Sequence, residues 1–203
     1  MEWIILDDGE DCVRDVFEGI AAKIPEMRYI RVDKKLLIGA KRNMLNKEAK
    51  GDIIVAMDDD DYYSPERVRH VVQKFEVNPG IELAGASEIY MYYTDIQTIY
   101  RFGPYNKNHA TNGTMAWRKS YAATHTYDET VTHAEERSFL DNYIHPMIQL
   151  DTMKVMLVIS HSDNTFDKKK LRENTGSPII VRTAMKLNAF IKSAKLSDFF
   201  KNA

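Results

Sequence analysis

Four consecutive aspartates, Asp58, Asp59, Asp60 and Asp61, follow directly on the apolar run at residues 53–57. Adjacent carboxylates repel one another, and apolar packing gives no reason for such a cluster at the end of a buried strand. A hard divalent cation such as Mg²⁺ or Mn²⁺ prefers oxygen ligands, and its charge offsets the repulsion. These four residues, called here the acidic tetrad, indicate a cation site, and a solvated acidic loop is the alternative.

The segments on either side of the tetrad predict how the fold would hold it. Residues 53–57 have the apolar, β-branched composition of a buried strand. After the tetrad, Ser64 is suited to cap a helix, Pro65 to its first position and Glu66 to its first turn. Open α/β sheets bind their ligands in the crevice at the carboxyl ends of strands. We therefore expect the tetrad at a ligand-binding edge of a sheet.

The first third of the chain alternates between strand and helix patterns. Predicted strands lie at residues 3–6, 29–32 and 53–57, and predicted helices at 13–20 and 39–50. This alternation predicts an α/β fold with a mostly parallel sheet flanked by helices.

The second half has a different pattern, with a smaller antiparallel β portion. A strand at residues 81–87 is followed by a tyrosine-rich, β-prone stretch at 88–102 with a turn near Thr94 and Asp95. Four further elements are predicted, namely strands at 112–117 and 154–160 and helices at 134–143 and 179–200.

Length and composition limit the classes of protein that this chain can represent. It has 203 residues, a net charge of −2 and one cysteine, Cys12. The charge gives no reason to expect a nucleic-acid partner, and no apolar run is long enough to predict a transmembrane segment. One cysteine excludes an internal disulfide, and with no visible secretory signal it predicts a cytoplasmic protein.

Three motifs together resemble the family 2 glycosyltransferases with the GT-A fold. They are Trp-Ile-Ile-Leu-Asp-Asp-Gly at residues 3–9, Ala-Lys-Arg-Asn at 40–43, and the segment 51–68, in which the tetrad precedes Pro-Glu-Arg. The resemblance implies one Rossmann-like GT-A domain over residues 1–203. Its nucleotide-binding half would be 1–80, its acceptor and catalytic half 81–178, and its C-terminal helix 179–203. The short form resembles catalytic domains of bacterial and large-DNA-virus polysaccharide machinery.

The resemblance implies nucleotide contacts in the first half. Asp8, at the end of the first strand, would accept a hydrogen bond from the uracil ring of the donor, and a turn aspartate that stabilises the Asp-Gly bend is the alternative. Lys41 and Arg42 would contact the nucleotide from the start of a helix, and solvated charges on a helix face are the alternative.

The resemblance also implies roles within the tetrad, which would be the Asp-x-Asp-type motif of the family. Asp59 would face the ribose and Asp60 would bind the metal. A run of four aspartates allows a shift of register by one, so that Asp58 can share the nucleotide role and Asp61 the metal role. His161, directly after the late strand, would be a further ligand. Asp163 could serve in its place, and a surface histidine is the alternative reading of His161.

The acceptor and catalytic half would supply the remaining site residues. Gly113 would permit close approach of the donor sugar. Inverting transfer needs a base that deprotonates the acceptor hydroxyl, and the resemblance implies Glu136 for this role, with Glu135 beside it. Acidic residues in the first turn of a helix also complement its dipole, which is the alternative.

Taken together, these residues predict a metal-dependent inverting glycosyltransferase that uses Mn²⁺ or Mg²⁺. It would transfer a hexose from a UDP-sugar to a carbohydrate hydroxyl, so that its partners would be a nucleotide-sugar donor and a glycan acceptor. Two other functions are the alternatives: a degenerate nucleotide-sugar-binding module without turnover, and a sugar-phosphate nucleotidyltransferase.

Overall fold

A computed structural model describes residues 1–162, 164, 168–173 and 176–201. Contacts between residues group the chain into two compact units. The first unit comprises residues 1–54 and 117–145, and the second comprises 55–116 and 146–203. The single domain with divisions near residues 80 and 178 stays a prediction.

The described part of the chain contains eleven strands and seven α-helices. The strands are β1 (Trp3–Asp7), β2 (Met27–Arg31), β3 (Ile53–Val55), β4 (Tyr62–Tyr63), β5 (Leu83–Gly85), β6 (Ile89–Tyr93), β7 (Thr98–Phe102), β8 (Ala116–Arg118), β9 (Met147–Gln149), β10 (Met156–Ser160) and β11 (Ile180–Arg182). The helices are α1 (Arg14–Ala21), α2 (Ile38–Glu48), α3 (Arg67–Glu76), α4 (Lys119–Ala122), α5 (Glu136–Phe139), α6 (Lys169–Glu173) and α7 (Ala194–Lys201).

The first unit begins with the predicted strand–helix–strand order. β1 and β2 are parallel, with Trp3 opposite Met27, and α1 connects them. Phe17 of α1 packs with its ring centre 6.2 Å from that of Trp3 and 5.6 Å from that of Tyr29. The apolar face of α1 therefore covers this strand pair, and Asp8 follows at the carboxyl end of β1.

The second unit contains a five-stranded sheet in the order β11-β7-β6-β10-β4. β6 and β10 are parallel, whereas the other neighbouring pairs are antiparallel. β6 and β7 form the predicted hairpin, with its turn between Tyr93 and Thr98. In the same unit, β5 and β9 form a parallel pair.

β10 supplies the centre of the second unit's core. Leu157 and Ile159 have no exposed surface. The side chains around them are Tyr62, Tyr92, Ile99, Leu187, Phe190 and Ile191. Burying a leucine or isoleucine side chain is worth roughly 1.5–3 kcal/mol, so β10 is firmly held. His161, the next residue after this strand, therefore has a defined position.

The predicted helix over residues 134–143 is wrong outside its middle, because α5 covers only Glu136–Phe139. Asp141, Asn142 and Tyr143 have positive φ angles of 44°, 54° and 65°, a left-handed conformation that aspartate and asparagine adopt more readily than other side chains. Asn142 Oδ1 also accepts a hydrogen bond from Arg137 Nε at 2.9 Å. The left-handed backbone at residues 141–143 ends the α-helix.

The strand predicted at residues 112–117 starts later than expected, since a 3-10 turn at Asn112–Thr114 precedes β8. Thr114 Oγ1 donates a hydrogen bond to Thr111 O at 2.8 Å and accepts one from Ala86 N at 3.0 Å. These side-chain bonds hold the turn and delay the extended backbone.

The helix predicted at residues 179–200, the C-terminal helix of 179–203, is wrong over its first half. β11 occupies part of this segment and pairs with β7, Ile180 lying opposite Phe102. β-branched residues such as Ile180 and Val181 favour strands, and the free edge of β7 offers backbone hydrogen bonds. Among the described residues of this segment, a 3-10 turn at Leu187–Ala189 precedes the one α-helix, α7 at Ala194–Lys201.

The helix after the tetrad starts two residues later than predicted. Ser64 Oγ accepts a hydrogen bond from Glu66 N at 3.2 Å, and Arg67 N donates to Ser64 O at 2.9 Å. Ser64 therefore stabilises a turn that leads into α3.

Two further observations on the described residues concern membrane-spanning helices and the single cysteine. None of their helices is both long enough and apolar enough to cross a membrane. The single cysteine, Cys12, is exposed and precedes α1, with its Sγ 3.7 Å from Tyr29 Oη.

Candidate functional site

The acidic tetrad lies in the loop between β3 and β4. Asp59 is exposed, the side chain of Asp61 is only 6 % exposed, and the other two aspartates are half-buried. Asp58 N donates a hydrogen bond to Tyr63 Oη at 2.8 Å, and Asp61 Oδ1 accepts one from Ile159 N at 2.8 Å. Hydrogen bonds therefore fix the loop at both ends.

Asp60 and His161 direct acceptor atoms towards the same donor. His161 Nε2 lies 3.8 Å from Asp60 Oδ2. Asn164 Nδ2 donates to Asp60 Oδ2 at 2.9 Å and lies 2.8 Å from His161 Nε2. The backbone N–H of His161 donates to Asn164 Oδ1 at 2.9 Å and so orients the amide. The side-chain amide nitrogen of Asn164 thus lies where the Asp60 and His161 acceptors converge.

Lys168 places a positive charge beside the tetrad. Its Nζ lies 3.7 Å from Asp60 Oδ2 and 3.9 Å from Asp61 Oδ1, and it donates to Ile159 O at 3.0 Å. Burial raises the pKa of Asp61 to about 7; the Lys168 ammonium opposes this shift, and the charge of Asp60 adds to it. Lys168 therefore offsets part of the repulsion among the carboxylates.

Gly113 closely approaches the first aspartate of the tetrad. A Cβ atom at this position would lie 2.9 Å from Asp58 Oδ2 and 3.1 Å from Tyr63 Oη. Any other residue would require these groups to move, because only glycine has no Cβ. The structure therefore brings Gly113 and Asp58 together, while the approach of a donor sugar to Gly113 stays a prediction.

A buried arginine lies under the same loop. Arg67 is 1 % exposed, and its Nη2 donates to Met115 O at 2.8 Å and to Gly113 O at 3.4 Å. Burial lowers the pKa of Arg67 to about 10, and the neighbouring Asp58 charge opposes that effect. The guanidinium therefore stays protonated at neutral pH and adds positive charge near Asp58.

In the first unit, Asp8 is the centre of a cluster of donors. Its side chain is 6 % exposed; Oδ2 accepts from Leu36 N at 2.9 Å, and Oδ1 lies 3.1 Å from Lys41 Nζ and 3.3 Å from Lys35 Nζ. Burial alone would raise the pKa of Asp8, but these hydrogen bonds and lysine charges outweigh it and lower the pKa. An ionised acceptor is thus held beside two cations.

The other predicted residues of the first unit meet at α5. Arg42 Nε donates to Glu135 Oε1 at 2.8 Å, and the two side chains are 13 % and 9 % exposed. Glu136 is the next residue, half-buried at the start of α5. The partner of Arg42 in this structure is therefore the glutamate beside the predicted base.

The predicted site residues divide between the units. The first unit holds Asp8, Lys41, Arg42 and Glu136, and the second holds Asp58, Asp59, Asp60, Asp61, Gly113 and His161. The alternative ligand Asp163 lies outside the described residues. Sequence reasoning missed Asn164, Lys168 and Arg67. The signal for the first two was a polar stretch and a lysine run directly after a buried strand.

Metal binding at the Asp60 and His161 pair would need further ligands. Among the residues that the structure describes, no group of three or more His, Cys, Asp or Glu side chains is arranged to hold a metal ion. Mg²⁺ is commonly held by one or two carboxylates, with waters and substrate phosphates completing an octahedron in which adjacent ligands lie about 3 Å apart. Asp60 and His161 supply a carboxylate and an imidazole for such a site; their acceptors lie 3.8 Å apart, so the two side chains would have to approach by about 1 Å to hold one ion as adjacent ligands.

Comparison with known proteins identifies the family. The model described as Glycosyl transferase family 2 matches residues 1–134, and the chain belongs to this family. No curated protein matches the sequence.

Solved structures share the fold. TarS 1–349 of S. aureus in complex with UDP-GlcNAc has a TM-score of 0.63 and 13 % identity, with 80 % of this chain and 50 % of that chain covered. The mannosyltransferase PcManGT from Pyrobaculum calidifontis, in complex with GDP-Man and Mn²⁺, has a TM-score of 0.61 and 10 % identity, with 80 % and 49 % covered. This chain thus spans about half the length of these structures. The predicted α/β GT-A fold is confirmed.

Proposed function

We propose that this chain is a metal-dependent inverting glycosyltransferase, which transfers a hexose from a UDP-sugar to a hydroxyl group of a carbohydrate. The observation that carries the proposal is the convergence of Asp60 and His161 on one point beside Lys168. Membership of the family supports glycosyl transfer. Two fold neighbours, one in complex with UDP-GlcNAc and the other with GDP-Man and Mn²⁺, support a nucleotide-sugar donor and a metal.

Asp60 and His161 would hold Mn²⁺ or Mg²⁺ in the second unit. When bound, the ion supplies Lewis-acid stabilisation of the diphosphate leaving group. Asp61, predicted as a further ligand, keeps the loop in place through its hydrogen bond with Ile159 N. Lys168 is suited to a phosphate oxygen because its ammonium already lies beside the tetrad.

The other donor-binding roles follow from hydrogen-bonding complementarity. Asp8 accepts the N3–H of uracil, and Lys41 donates to a ring carbonyl, since the two side chains already present an acceptor next to a donor. Asp58 and Asp59 accept hydrogen bonds from the ribose hydroxyls. Gly113, which lies against Asp58, would permit close approach of the donor sugar to the tetrad.

Glu136 acts on the acceptor. Its carboxylate removes the proton of the acceptor hydroxyl as the oxygen bonds to the anomeric carbon on the face opposite to the leaving group. The bond between that carbon and the UDP oxygen breaks at the same time, so the configuration inverts and UDP leaves with the bonding electrons. A general base of this kind contributes roughly 10²- to 10⁴-fold to the rate.

A turnover assay with Glu136→Gln tests the proposal. Wild-type protein should release UDP from at least one UDP-hexose in Mn²⁺ and lose this activity in EDTA. Glu136→Gln should lower the rate by roughly 10²-fold or more, with UDP affinity retained. UDP binding without turnover under any metal would instead indicate a degenerate module, and pyrophosphate release from UTP and a sugar phosphate would indicate a nucleotidyltransferase.

A further inference from the structure

One face of α2 carries small and polar residues at helical spacing: Gly39, Arg42, Asn43 and Asn46. Residues separated by three, four and seven positions line one side of a helix. Each of the four contacts residues 117–145, the later segment of the same unit. At the C-terminal end of this face, Asn46 Oδ1 accepts a hydrogen bond from Trp117 Nε1 at 3.0 Å. We call this face of α2 the polar seam.

The middle of the polar seam holds a backbone segment directly. Asn43 Nδ2 donates to Tyr127 O at 2.9 Å, and Asn43 Oδ1 accepts from Tyr127 N at 2.8 Å. A Cβ atom at Gly39 would lie 2.1 Å from Asp128 O, so the two backbones are in direct contact. Two consecutive residues, 127 and 128, are thus held against α2.

Arg42 extends the polar seam to the segment that carries the proposed base. It pairs with Glu135 at 2.8 Å, and both side chains are largely buried. α5 begins at the next residue and is a single turn, which has little stability by itself. Buried Phe139 fixes the far end of that turn, and the ion pair is a side-chain contact that holds the end at which Glu136 lies.

We propose that Arg42 is a positioning residue, which acts through Glu135 to orient the Glu136 carboxylate. This inference rests on the proposed function, in which Glu136 is the base. This role replaces the nucleotide contact that the sequence predicted for Arg42, because an arginine side chain that is 13 % exposed and paired through Nε presents little surface to a ligand. Removing one partner of a buried ion pair leaves the other charge uncompensated, so conservative variants are needed.

The test compares Arg42→Lys, Glu135→Gln and the double variant with a control, Lys47→Ala, on the exposed side of α2. Lysine keeps the charge but has no planar, forked donor group. Each single variant should lower kcat by about tenfold or more while KM for the UDP-sugar and the affinity for UDP change by less than about twofold. The double variant should be no worse than either single variant, because both remove the same interaction. Lys47→Ala should match the wild type.

Hydrogen exchange supplies a readout that does not need turnover. Backbone amides of residues 135–139 should exchange faster in Arg42→Lys than in the wild type, and at the wild-type rate in Lys47→Ala. Weaker UDP binding with unchanged kcat would indicate that Arg42 is a nucleotide ligand, which would overturn the inference. Unchanged kcat together with unchanged hydrogen exchange would also overturn it. If the wild type turns over no nucleotide sugar, the proposed function fails, and the exchange rates alone decide the positioning role.

Discussion

At the scale of single residues, the proposed chemistry of the second unit depends on two acceptor atoms. Asp60 Oδ2 and His161 Nε2 share one donor, Asn164 Nδ2. Two acceptors that converge on one hydrogen-bond donor also direct their lone pairs towards one point, as the ligands of a divalent cation do. Asp60 and His161 were predictable because each follows an apolar strand pattern. Asn164 and Lys168 were not, because their positions depend on how the chain turns after β10.

The long-range contact of Arg42 also could not be predicted from the sequence. Its helical position was predictable from local spacing, but its partner Glu135 is 93 residues away in sequence. Periodicity identifies the face of a helix on which a residue lies. It contains no information about which distant segment packs against that face.

His70 gives a prediction for the pH dependence of stability. It is 8 % exposed, and its Nε2 accepts a hydrogen bond from Asp151 N at 3.1 Å. Burial lowers the pKa of His70, and the charges of Lys74 and Lys154 lower it further. Because the folded state favours the neutral ring, this stabilisation is present above the unfolded pKa of about 6.5 and is lost as pH falls through the lower folded pKa.

We therefore expect the free energy of unfolding of the wild type to fall between about pH 7 and pH 5, relative to that of His70→Gln. The glutamine variant cannot be protonated in this range and keeps an acceptor for Asp151 N. Urea unfolding at several pH values measures the difference. Parallel pH curves for the two proteins would show that His70 does not contribute.

At the scale of elements, prediction succeeded where the pattern was long and regular. The apolar periodicity around Phe17 and the β-prone residues around Tyr29 correctly predicted α1 and β2. Prediction failed for α5 and β11. α5 ends before three consecutive residues with positive φ angles, which apolar periodicity does not reveal, and the free edge of β7 recruits β11 through a long-range pairing.

A substitution of Gly39 tests whether α2 must lie in direct contact with the segment at Asp128. Gly39→Ala would place a methyl group 2.1 Å from a backbone oxygen, and overpacking of this kind costs about 1–3 kcal/mol. Gly19→Ala in α1 is the matched control because its Cβ would meet nothing within 4 Å. In a helix that change stabilises by roughly 0.5–1 kcal/mol.

Denaturant unfolding of the two alanine variants measures these effects. Gly39→Ala should unfold at lower denaturant concentration than the wild type, and Gly19→Ala at the same or a higher concentration. Equal stability of the Gly39→Ala protein and the wild type would contradict close packing of α2 on that segment.

At the scale of the whole molecule, the fold class was predictable because strand and helix patterns repeat over much of the chain. The division into two units was not predictable. The first unit joins residues 1–54 with 117–145, and no local sequence pattern links segments so far apart. A cytoplasmic location and a role in polysaccharide biosynthesis stay predictions from composition and resemblance.

The central claim is that Asp60 and His161 bind a divalent cation that engages the diphosphate of the donor. Isothermal titration calorimetry of UDP binding, in Mn²⁺ and in EDTA, tests it most directly. The proteins to compare are the wild type, Asp60→Asn and Asp33→Asn, the last at a fully exposed aspartate outside the tetrad. Mn²⁺ should strengthen UDP binding by about tenfold or more, equivalent to about 1.4 kcal/mol, in the wild type and Asp33→Asn but not in Asp60→Asn. Equal affinity of the wild type for UDP in Mn²⁺ and in EDTA would contradict the claim.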